Sequence, residues 1–210
     1  MILDKYYKQE SSNSIAKFIL KDPKIKSKKG LFLDRDGVLI EDVHHIRTPR
    51  QVTLCEGTKK FLKEAKKKGY ELIVVTNQSS VSRSIINYEE YKKITEKFLS
   101  LINYDMYPNL ILSSFHLPKN ENKLKNFNWR KPGTGMIDYA LNLQKYDKSK
   151  CSIIGDKLTD LIAGYKAGLT NICYVKSELH KDEAISVKDW FLKNKFPYKQ
   201  LDKLEDFFSY

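Results

Sequence analysis

The residues best suited to chemistry lie in four segments of the sequence: three follow short apolar runs, and one precedes a helical pattern. They comprise carboxylates, a hydroxyl, an amide and cations: Asp34, Asp36, Thr76, Asn77, Arg130, Lys131 and Asp156. In parallel α/β sheets the carboxyl ends of the strands meet at one edge, so we expect these side chains to converge there. Phosphoryl transfer needs this mixture, because a phosphomonoester is an anion and its charge must be neutralised before a nucleophile attacks.

The pair Asp34 and Asp36 has the spacing of a nucleophile and a general acid/base. Asp34 can attack phosphorus and form an acyl phosphate. Asp36, two residues further on, lies on the same side of an extended chain, where it can protonate the leaving oxygen and later activate water. Gly37 then allows the chain to turn sharply.

The remaining residues complete the expected site. Thr76 can donate a hydrogen bond to a phosphoryl oxygen, and Lys131 can bind another while offsetting the charge of Asp34. Asp156, with Asp34 and the backbone carbonyl of Asp36, provides oxygen ligands for Mg²⁺. Each residue alone has a plainer interpretation as a loop, turn or cap residue. Their combination at successive strand ends favours the catalytic interpretation.

Alternating strand and helix patterns predict the elements that position these residues. The predicted strands cover residues 30–33, 70–75, 109–113, 151–154 and 171–175, and the predicted helices cover 58–68, 88–102, 134–143 and 158–167. This alternation indicates a Rossmann-like α/β fold, a three-layer α/β/α sandwich with a mostly parallel sheet.

The two ends fall outside this alternation. Residues 1–29 are predicted to hold a short N-terminal helix and a lysine-rich linker, residues 30–177 the catalytic core, and residues 178–210 an amphipathic helix with a tail packed on the core. The pattern leaves the role of both ends and the oligomeric state open.

Composition narrows the class of protein. The 210 residues contain no apolar run of membrane-spanning length, and the N-terminus lacks the pattern of a secretory signal, so we expect a cytoplasmic protein without a membrane partner. Three cysteines without a CxxC spacing are expected to be free thiols. The net charge of +12 is compatible with nucleic-acid binding, but the lysines are dispersed as on solvated helix faces, so we do not expect a nucleic-acid partner.

Four motifs closely resemble those of the haloacid dehalogenase superfamily of phosphatases. They are FLDRDGVLIED at 32–42, VVTNQS at 74–79, RKPGTGM at 130–136 and IIGDKLTDLIAG at 153–164. Within the superfamily they are most similar to the heptose bisphosphate phosphatase and histidinol-phosphatase branch, and GDKL favours the heptose side.

The resemblance implies a fold with no large cap domain, Mg²⁺ as cofactor and the roles given above for the catalytic residues. It also implies that the substrate is bound by Asn77, Arg83, Arg130, Lys131 and Lys157. Asp160 matches the second acid of the fourth motif, and the resemblance leaves open whether it orients Lys131 or the metal shell, or only caps a helix.

The sequence departs from that branch at two places. The branch carries a zinc loop before RKP, but here the thiolate positions are occupied by Ser114, Phe127 and Trp129, and only His116 remains. Structural zinc needs about four N or S ligands, so we expect no zinc and a loop held by packing of Phe127 and Trp129. In the loop after TNQS, Ser80 and Ser84 replace glycines, and serine disfavours positive φ. Because this loop lines the expected pocket, we expect a substrate that differs from that of the branch.

The leading functional hypothesis is removal of one phosphate from a small phosphorylated sugar. Heptose 1,7-bisphosphate, a precursor of surface polysaccharide, is the expected substrate, and histidinol phosphate is the nearest rival. Two other classes stay open: a polynucleotide 3′-phosphatase, which the net charge would suit, and a scaffold on an inactive phosphatase fold, which the intact acid set disfavours.

Overall fold

One mixed sheet of eight strands runs through the computed structural model, which describes residues 3, 10–12, 14–21, 28–117, 129–177 and 179–209. The strand order is β1-β2-β5-β4-β3-β6-β7-β8. The pairs from β5 to β8 are parallel, whereas β1–β2 and β2–β5 are antiparallel. The strands are β1 (Glu10–Ser12), β2 (Ile15–Ile19), β3 (Gly30–Leu33), β4 (Glu71–Asn77), β5 (Leu110–Ser114), β6 (Ser152–Gly155), β7 (Asn171–Val175) and β8 (Lys199–Leu201).

Five α-helices cover the two faces of this sheet in the described residues. They are α1 (Thr58–Lys67), α2 (Tyr88–Leu101), α3 (Gly135–Gln144), α4 (Leu158–Ala167) and α5 (Glu183–Asn194). Leu31 and Leu33 of β3 pack into the core with α1 and α2, whereas Phe32 packs into the other core with α3, α4 and α5. Both faces of β3 are therefore buried, which explains its continuous apolar run. The predicted three-layer α/β/α sandwich with a mostly parallel sheet is confirmed.

Strand β4 is longer than the sequence predicts. The prediction ended it at Val75, but the ladder continues, with Thr76 opposite Ser113 and Asn77 opposite Ser114. The polar residues that appear to follow the strand are thus its last two members. Their backbone positions are fixed by strand pairing rather than by a loop, which makes the site at this edge more rigid.

The N-terminal segment contains two strands that the sequence analysis did not predict. Residues 10–12 and 15–19 form strands instead of a helix or linker, and β2 pairs antiparallel with β5 from Ile15–Ser114 to Ile19–Leu110. Phe18 is fully buried in this extension of the sheet. The remainder of the predicted helix and the basic linker lie mostly at residues 1–2, 4–9 and 22–27, outside the described residues.

The C-terminal segment contains the predicted helix, α5, followed by strand β8, which the sequence analysis missed. The tail packs on α1 and on the start of β4, where Phe208 stacks on Phe61 with ring centroids 5.3 Å apart and Phe207 lies edge-on to Tyr70 at 5.9 Å. Among the described helices, none combines the length and apolarity that crossing a bilayer requires.

Candidate active site

A buried ion pair between Asp34 and Lys131 lies at the carboxyl edge of the sheet. Asp34 directly follows β3, and its backbone N–H donates to Ile154 of β6 at 3.1 Å, which fixes its position between two strands. The Lys131 Nζ lies 2.8 Å from Asp34 Oδ1. Burial raises the pKa of Asp34 to about 6, with Asp160 adding to the effect and Lys131 opposing it.

Lys131 also has two further acceptors. Its Nζ lies 2.6 Å from Asp160 Oδ1 and donates to the carbonyl of Val75 at 2.7 Å. Lys131 thus pairs with two carboxylates and donates a hydrogen bond to one backbone carbonyl. Burial alone would lower the pKa of Lys131, but Asp160 and Asp34 outweigh it and raise the pKa.

Asp160 therefore contacts Lys131 directly and also caps helix α4. Its Oδ2 accepts the backbone N–H of Lys157 at 3.1 Å, which is the capping-box contact of that helix. The sequence analysis left these two roles as alternatives, and the structure combines them in one carboxylate. The close approach depends on Gly155, since a Cβ there would overlap the Asp160 side chain.

Asp156 presents a bare carboxylate to the site. The side chain is fully buried, and neither of its oxygens accepts a hydrogen bond from the described residues. Asp34, Asp156 and Asp160 can place carboxylate oxygens within 4.8 Å of one another. His180 Nε2 lies 4.0 Å from Asp156 Oδ2, too far for a hydrogen bond. A buried carboxylate without hydrogen bonds is costly, whereas a hard divalent cation binds carboxylate oxygens well. The donor set thus fits a Mg²⁺ ion.

Gly37 lets the chain pass close to this carboxylate. Its φ is +88°, and a Cβ at this position would overlap Asp156 Oδ2. Both the left-handed backbone and the missing side chain are therefore required. The turn predicted at Gly37 from the sequence is present, and the structure adds its packing against Asp156.

Asp36 belongs to a separate hydrogen-bond network. Arg35 binds both oxygens of its carboxylate, with Nε 2.8 Å from Oδ1 and Nη2 3.1 Å from Oδ2. Gln78 donates from Nε2 to Asp36 Oδ2 at 2.6 Å and to Thr76 Oγ1 at 2.9 Å. Gln78 and Arg35 lie inside the recognised motifs but were not singled out, because sequence spacing does not show which way their side chains point.

Asn77 and Arg130 contact protein backbone in this structure. The Asn77 side chain donates to the carbonyl of Lys131 at 3.0 Å and accepts the N–H of the same residue at 3.1 Å. Arg130 donates to the carbonyl of His116 at 3.0 Å. Asn77 thus holds the segment that carries Lys131, and substrate binding by Asn77 and Arg130 stays a prediction.

Lys157 is held by Asp42, which also binds His180. Asp42 Oδ2 lies 3.0 Å from Lys157 Nζ and 3.0 Å from His180 Nε2. Burial would raise the pKa of Asp42, but Lys157 and the hydrogen bonds from its neighbours lower it to about 2. His180 was not predicted: it is 138 residues from Asp42 in sequence, and no local motif marks it.

The loop after β4 carries the remaining predicted substrate ligand. Arg83 lies exposed on it. Ser84 adopts a left-handed backbone, with φ of 56°, although serine disfavours this region by about 1–2 kcal/mol. The expected stiffening therefore does not prevent positive φ. Ser80 Oγ and His45 Nδ1 lie 2.9 Å apart, which joins this loop to the loop after β3.

The region that corresponds to the zinc loop is described only at its two ends. Phe127 lies outside the described residues. Trp129 is buried, donates its indole N–H to the carbonyl of Ser113 at 3.0 Å, and packs edge-on against Tyr139. Lys17 of β2 places its Nζ 5.6 Å from the centre of the Trp129 ring and 4.4 Å from that of Tyr139. This aromatic cluster anchors the loop end.

We predict that Trp129→Phe lowers the free energy of unfolding by about 1–3 kcal/mol, because the Ser113 carbonyl loses its donor while most of the ring packing remains. Chemical denaturation of both proteins measures the difference.

The purified wild-type protein should contain no zinc by elemental analysis, and about one zinc ion per chain would contradict our interpretation of this loop.

Comparison with known proteins places this geometry in a family. The haloacid dehalogenase-like hydrolase family matches residues 3–174. The chain is 31% identical over 155 residues to D-glycero-β-D-manno-heptose-1,7-bisphosphate 7-phosphatase of Haemophilus ducreyi, covering 71% of this chain and 84% of the relative. It is 29% identical over 154 residues to the D-glycero-α-D-manno-heptose-1,7-bisphosphate 7-phosphatase of Photorhabdus laumondii, covering 71% and 83%.

A solved structure shows the same fold. The D,D-heptose 1,7-bisphosphate phosphatase of B. bronchiseptica, complexed with magnesium and phosphate, has a TM-score of 0.67 to this chain at 20% sequence identity. The similarity covers 84% of this chain and 93% of that structure.

Proposed function

The chain belongs to the haloacid dehalogenase-like hydrolase family, and from that membership we propose that it is a Mg²⁺-dependent phosphatase with an aspartyl-phosphate intermediate. The observation that carries the proposal is the bare, buried carboxylate of Asp156 beside an Asp34 that Lys131 holds at 2.8 Å. One group is suited to a cation, and the other is a fixed nucleophile.

In the first half of the reaction, an oxygen of Asp34 forms a bond to phosphorus while the bond from phosphorus to the leaving oxygen breaks. Lys131 holds Asp34 Oδ1 at 2.8 Å, which leaves Oδ2 to attack. Asp36 transfers a proton to the leaving oxygen, so the product departs as an alcohol. Thr76 donates to a phosphoryl oxygen.

In the second half, water attacks phosphorus and the bond to Asp34 breaks. Asp36 takes a proton from the water, and inorganic phosphate and the free Asp34 carboxylate are formed. Asp34, Asp156 and the Asp36 carbonyl would hold Mg²⁺, which would supply positive charge to offset that of the phosphoryl oxygens.

We propose heptose 1,7-bisphosphate as the substrate class, because the two relatives described above are named as phosphatases of its β and α anomers. Lys157 supports this choice of an anionic substrate. Its ammonium group is held by Asp42 at 3.0 Å and is also attracted by Asp156 and Asp34, which outweigh burial and raise the pKa of Lys157, so it places a cation close to the site. Such an enzyme would supply phosphorylated heptose to surface-polysaccharide synthesis, and its three free thiols suit a cytoplasmic protein.

The test is phosphate release with Mg²⁺ from both heptose 1,7-bisphosphate anomers, histidinol phosphate and a 3′-phosphorylated oligonucleotide. We expect the highest kcat/KM for one heptose anomer. A preference for the oligonucleotide, with affinity that falls steeply as salt rises, would instead show that the net charge of +12 reflects a nucleic-acid substrate. Release from none of the four would favour a scaffold.

A separate prediction concerns Asp156→Asn in the metal-free protein. Burial raises the pKa of Asp156 to about 8, with Asp34 and Asp160 adding to it and Lys157 and Lys131 opposing it. The folded state therefore binds more protons than the unfolded state, in which an aspartate has a pKa of about 3.9, and stability falls as pH rises from about 4 to about 8. The asparagine variant should lose this dependence and be more stable at pH 8.

Thermal unfolding with and without Mg²⁺ measures both effects. Wild type should gain melting temperature on adding Mg²⁺, because the ion binds only the folded state, and Asp156→Asn should not. An equal gain in the two proteins would show that Asp156 does not bind the ion.

A further inference from the structure

Gln78 joins two of the proposed catalytic residues, which come from different strands. Its side-chain nitrogen donates to Asp36 Oδ2 at 2.6 Å and to Thr76 Oγ1 at 2.9 Å. An amide nitrogen has two N–H donors, so both are used. The backbone N–H of Gln78 donates to Ser114 at 2.6 Å, and the residue is 6% exposed. The side chain is thus fixed at both of its ends.

Arg35 completes the support of Asp36 from the other side. Its side chain is 1% exposed, its guanidinium carbon lies 5.9 Å from the centre of the Tyr91 ring, and it binds both oxygens of Asp36. Two N–H donors of Arg35 and one of Gln78 therefore converge on one carboxylate. A buried, bidentate arginine fixes the plane of that carboxylate, whereas Gln78 fixes its distance from Thr76.

We propose that Gln78 is a positioning residue that holds the proton-transferring carboxylate of Asp36 at a set distance from Thr76, and hence from the phosphoryl group. This inference rests on the proposed phosphatase function. Thr76 is rigid because it lies within β4, so it can serve as the fixed point. Asp36 lies beyond the end of β3, and it needs a link to that fixed point to meet the leaving oxygen.

The role predicts a dependence on the leaving group. When an alkyl phosphate reacts, the proton of Asp36 must pass to the alkoxide oxygen as the bond from phosphorus to oxygen breaks. When 2,4-dinitrophenyl phosphate reacts, dinitrophenolate leaves without a proton. The water that then attacks the acyl phosphate still gives its proton to Asp36, whichever substrate was used. A misplaced Asp36 should therefore slow formation of the acyl phosphate only with the alkyl phosphate. It should slow hydrolysis of the acyl phosphate with both substrates.

The experiment compares Gln78→Ala with wild type in single turnovers with Mg²⁺. For the alkyl phosphate that wild type hydrolyses fastest, the rate of the first turnover should fall about 10–100-fold, as expected for a displaced acid. For 2,4-dinitrophenyl phosphate it should change less than about threefold, because no proton is needed. Hydroxylamine-labile phosphoenzyme should accumulate in the variant during turnover of the aryl substrate.

Two further variants separate hydrogen bonding from packing. Gln78→Glu keeps the shape of the side chain but replaces the donating nitrogen with an oxygen. Its first-turnover rate with the alkyl phosphate should therefore fall at least as much as in Gln78→Ala, with little change for the aryl phosphate. Gln144→Ala removes an equally buried glutamine at the end of α3 and should leave both first-turnover rates and the phosphoenzyme level unchanged. Thermal unfolding of all variants monitors stability.

Equal losses on the alkyl and aryl substrates, or wild-type rates with Gln78→Glu, would overturn the inference. If wild type hydrolyses the aryl phosphate but neither heptose bisphosphate, only the proposed substrate is overturned. The comparison of variants then proceeds with another alkyl phosphate. A wild-type protein that releases phosphate from no phosphomonoester would overturn the proposed function and the inference with it.

Discussion

Replacing Asp34 with asparagine should reduce kcat at least about 10⁴-fold, since the amide cannot form the acyl phosphate. The protein should stay folded, because asparagine keeps the shape of the side chain and Lys131 retains Asp160 at 2.6 Å and the Val75 carbonyl at 2.7 Å as acceptors. Phosphate release at saturating substrate, together with thermal unfolding, measures the two quantities.

Asp189→Asn serves as the matched control for this variant. Asp189 is an exposed aspartate on α5, so the same chemical change there should alter neither activity nor stability. A substrate with a radioactive phosphoryl group should label wild type transiently and leave Asp34→Asn unlabelled. Activity within about 100-fold of wild type in Asp34→Asn would contradict the covalent mechanism.

The second large effect is expected for Lys131→Met, which should lower the free energy of unfolding by at least about 3–5 kcal/mol. The ammonium group is 2% exposed and pairs with both Asp34 and Asp160, so its loss leaves two buried carboxylates without their cation. The pKa of Asp34, which burial already raises to about 6, should rise further without Lys131. The destabilisation should therefore be larger at pH 8 than at pH 5, and urea unfolding at both values measures it.

A double variant tests whether the loss in Lys131→Met comes from the carboxylates that it leaves unpaired. Lys131→Met with Asp160→Asn removes the cation and one of its two anions, so part of the lost stability, about 1–2 kcal/mol, should return. A double variant whose stability equals the sum of the two single losses would show that Lys131 and Asp160 are not coupled.

The catalytic core was predictable because its strands are buried on both faces. β3 and β7 lie where the apolar runs GLFL and NICYV predict them, since a parallel strand covered by helices must be apolar throughout. The residues at the strand ends then follow from topology, because parallel strands deliver their carboxyl ends to one edge. Asp34 and Asp156 were located by this argument alone.

The strands that escaped prediction lie in the outer parts of the sheet, β1 and β2 on one side and β8 on the other. β2 reads IAKFI and places Lys17 in its centre, and β8 reads KQL with two exposed residues. Both strands are less completely buried than β3, so their sequences lose the continuous apolar signal. The contacts among Lys157, Asp42 and His180 could not be predicted either. These residues come from three segments, after β3, β6 and β7, and their pairing depends on side-chain direction, which sequence spacing does not encode.

The position of β3 in the middle of the sheet has a consequence for how the protein refolds. β3 pairs with β4 on one side and with β6, about 120 residues further along the chain, on the other. Contacts between such distant segments form slowly, because a long loop must close first. Helices should therefore recover before Asp34 and Asp156 meet, so the return of enzymatic activity after denaturation should lag behind the circular dichroism signal and report the docking of β3 against β6.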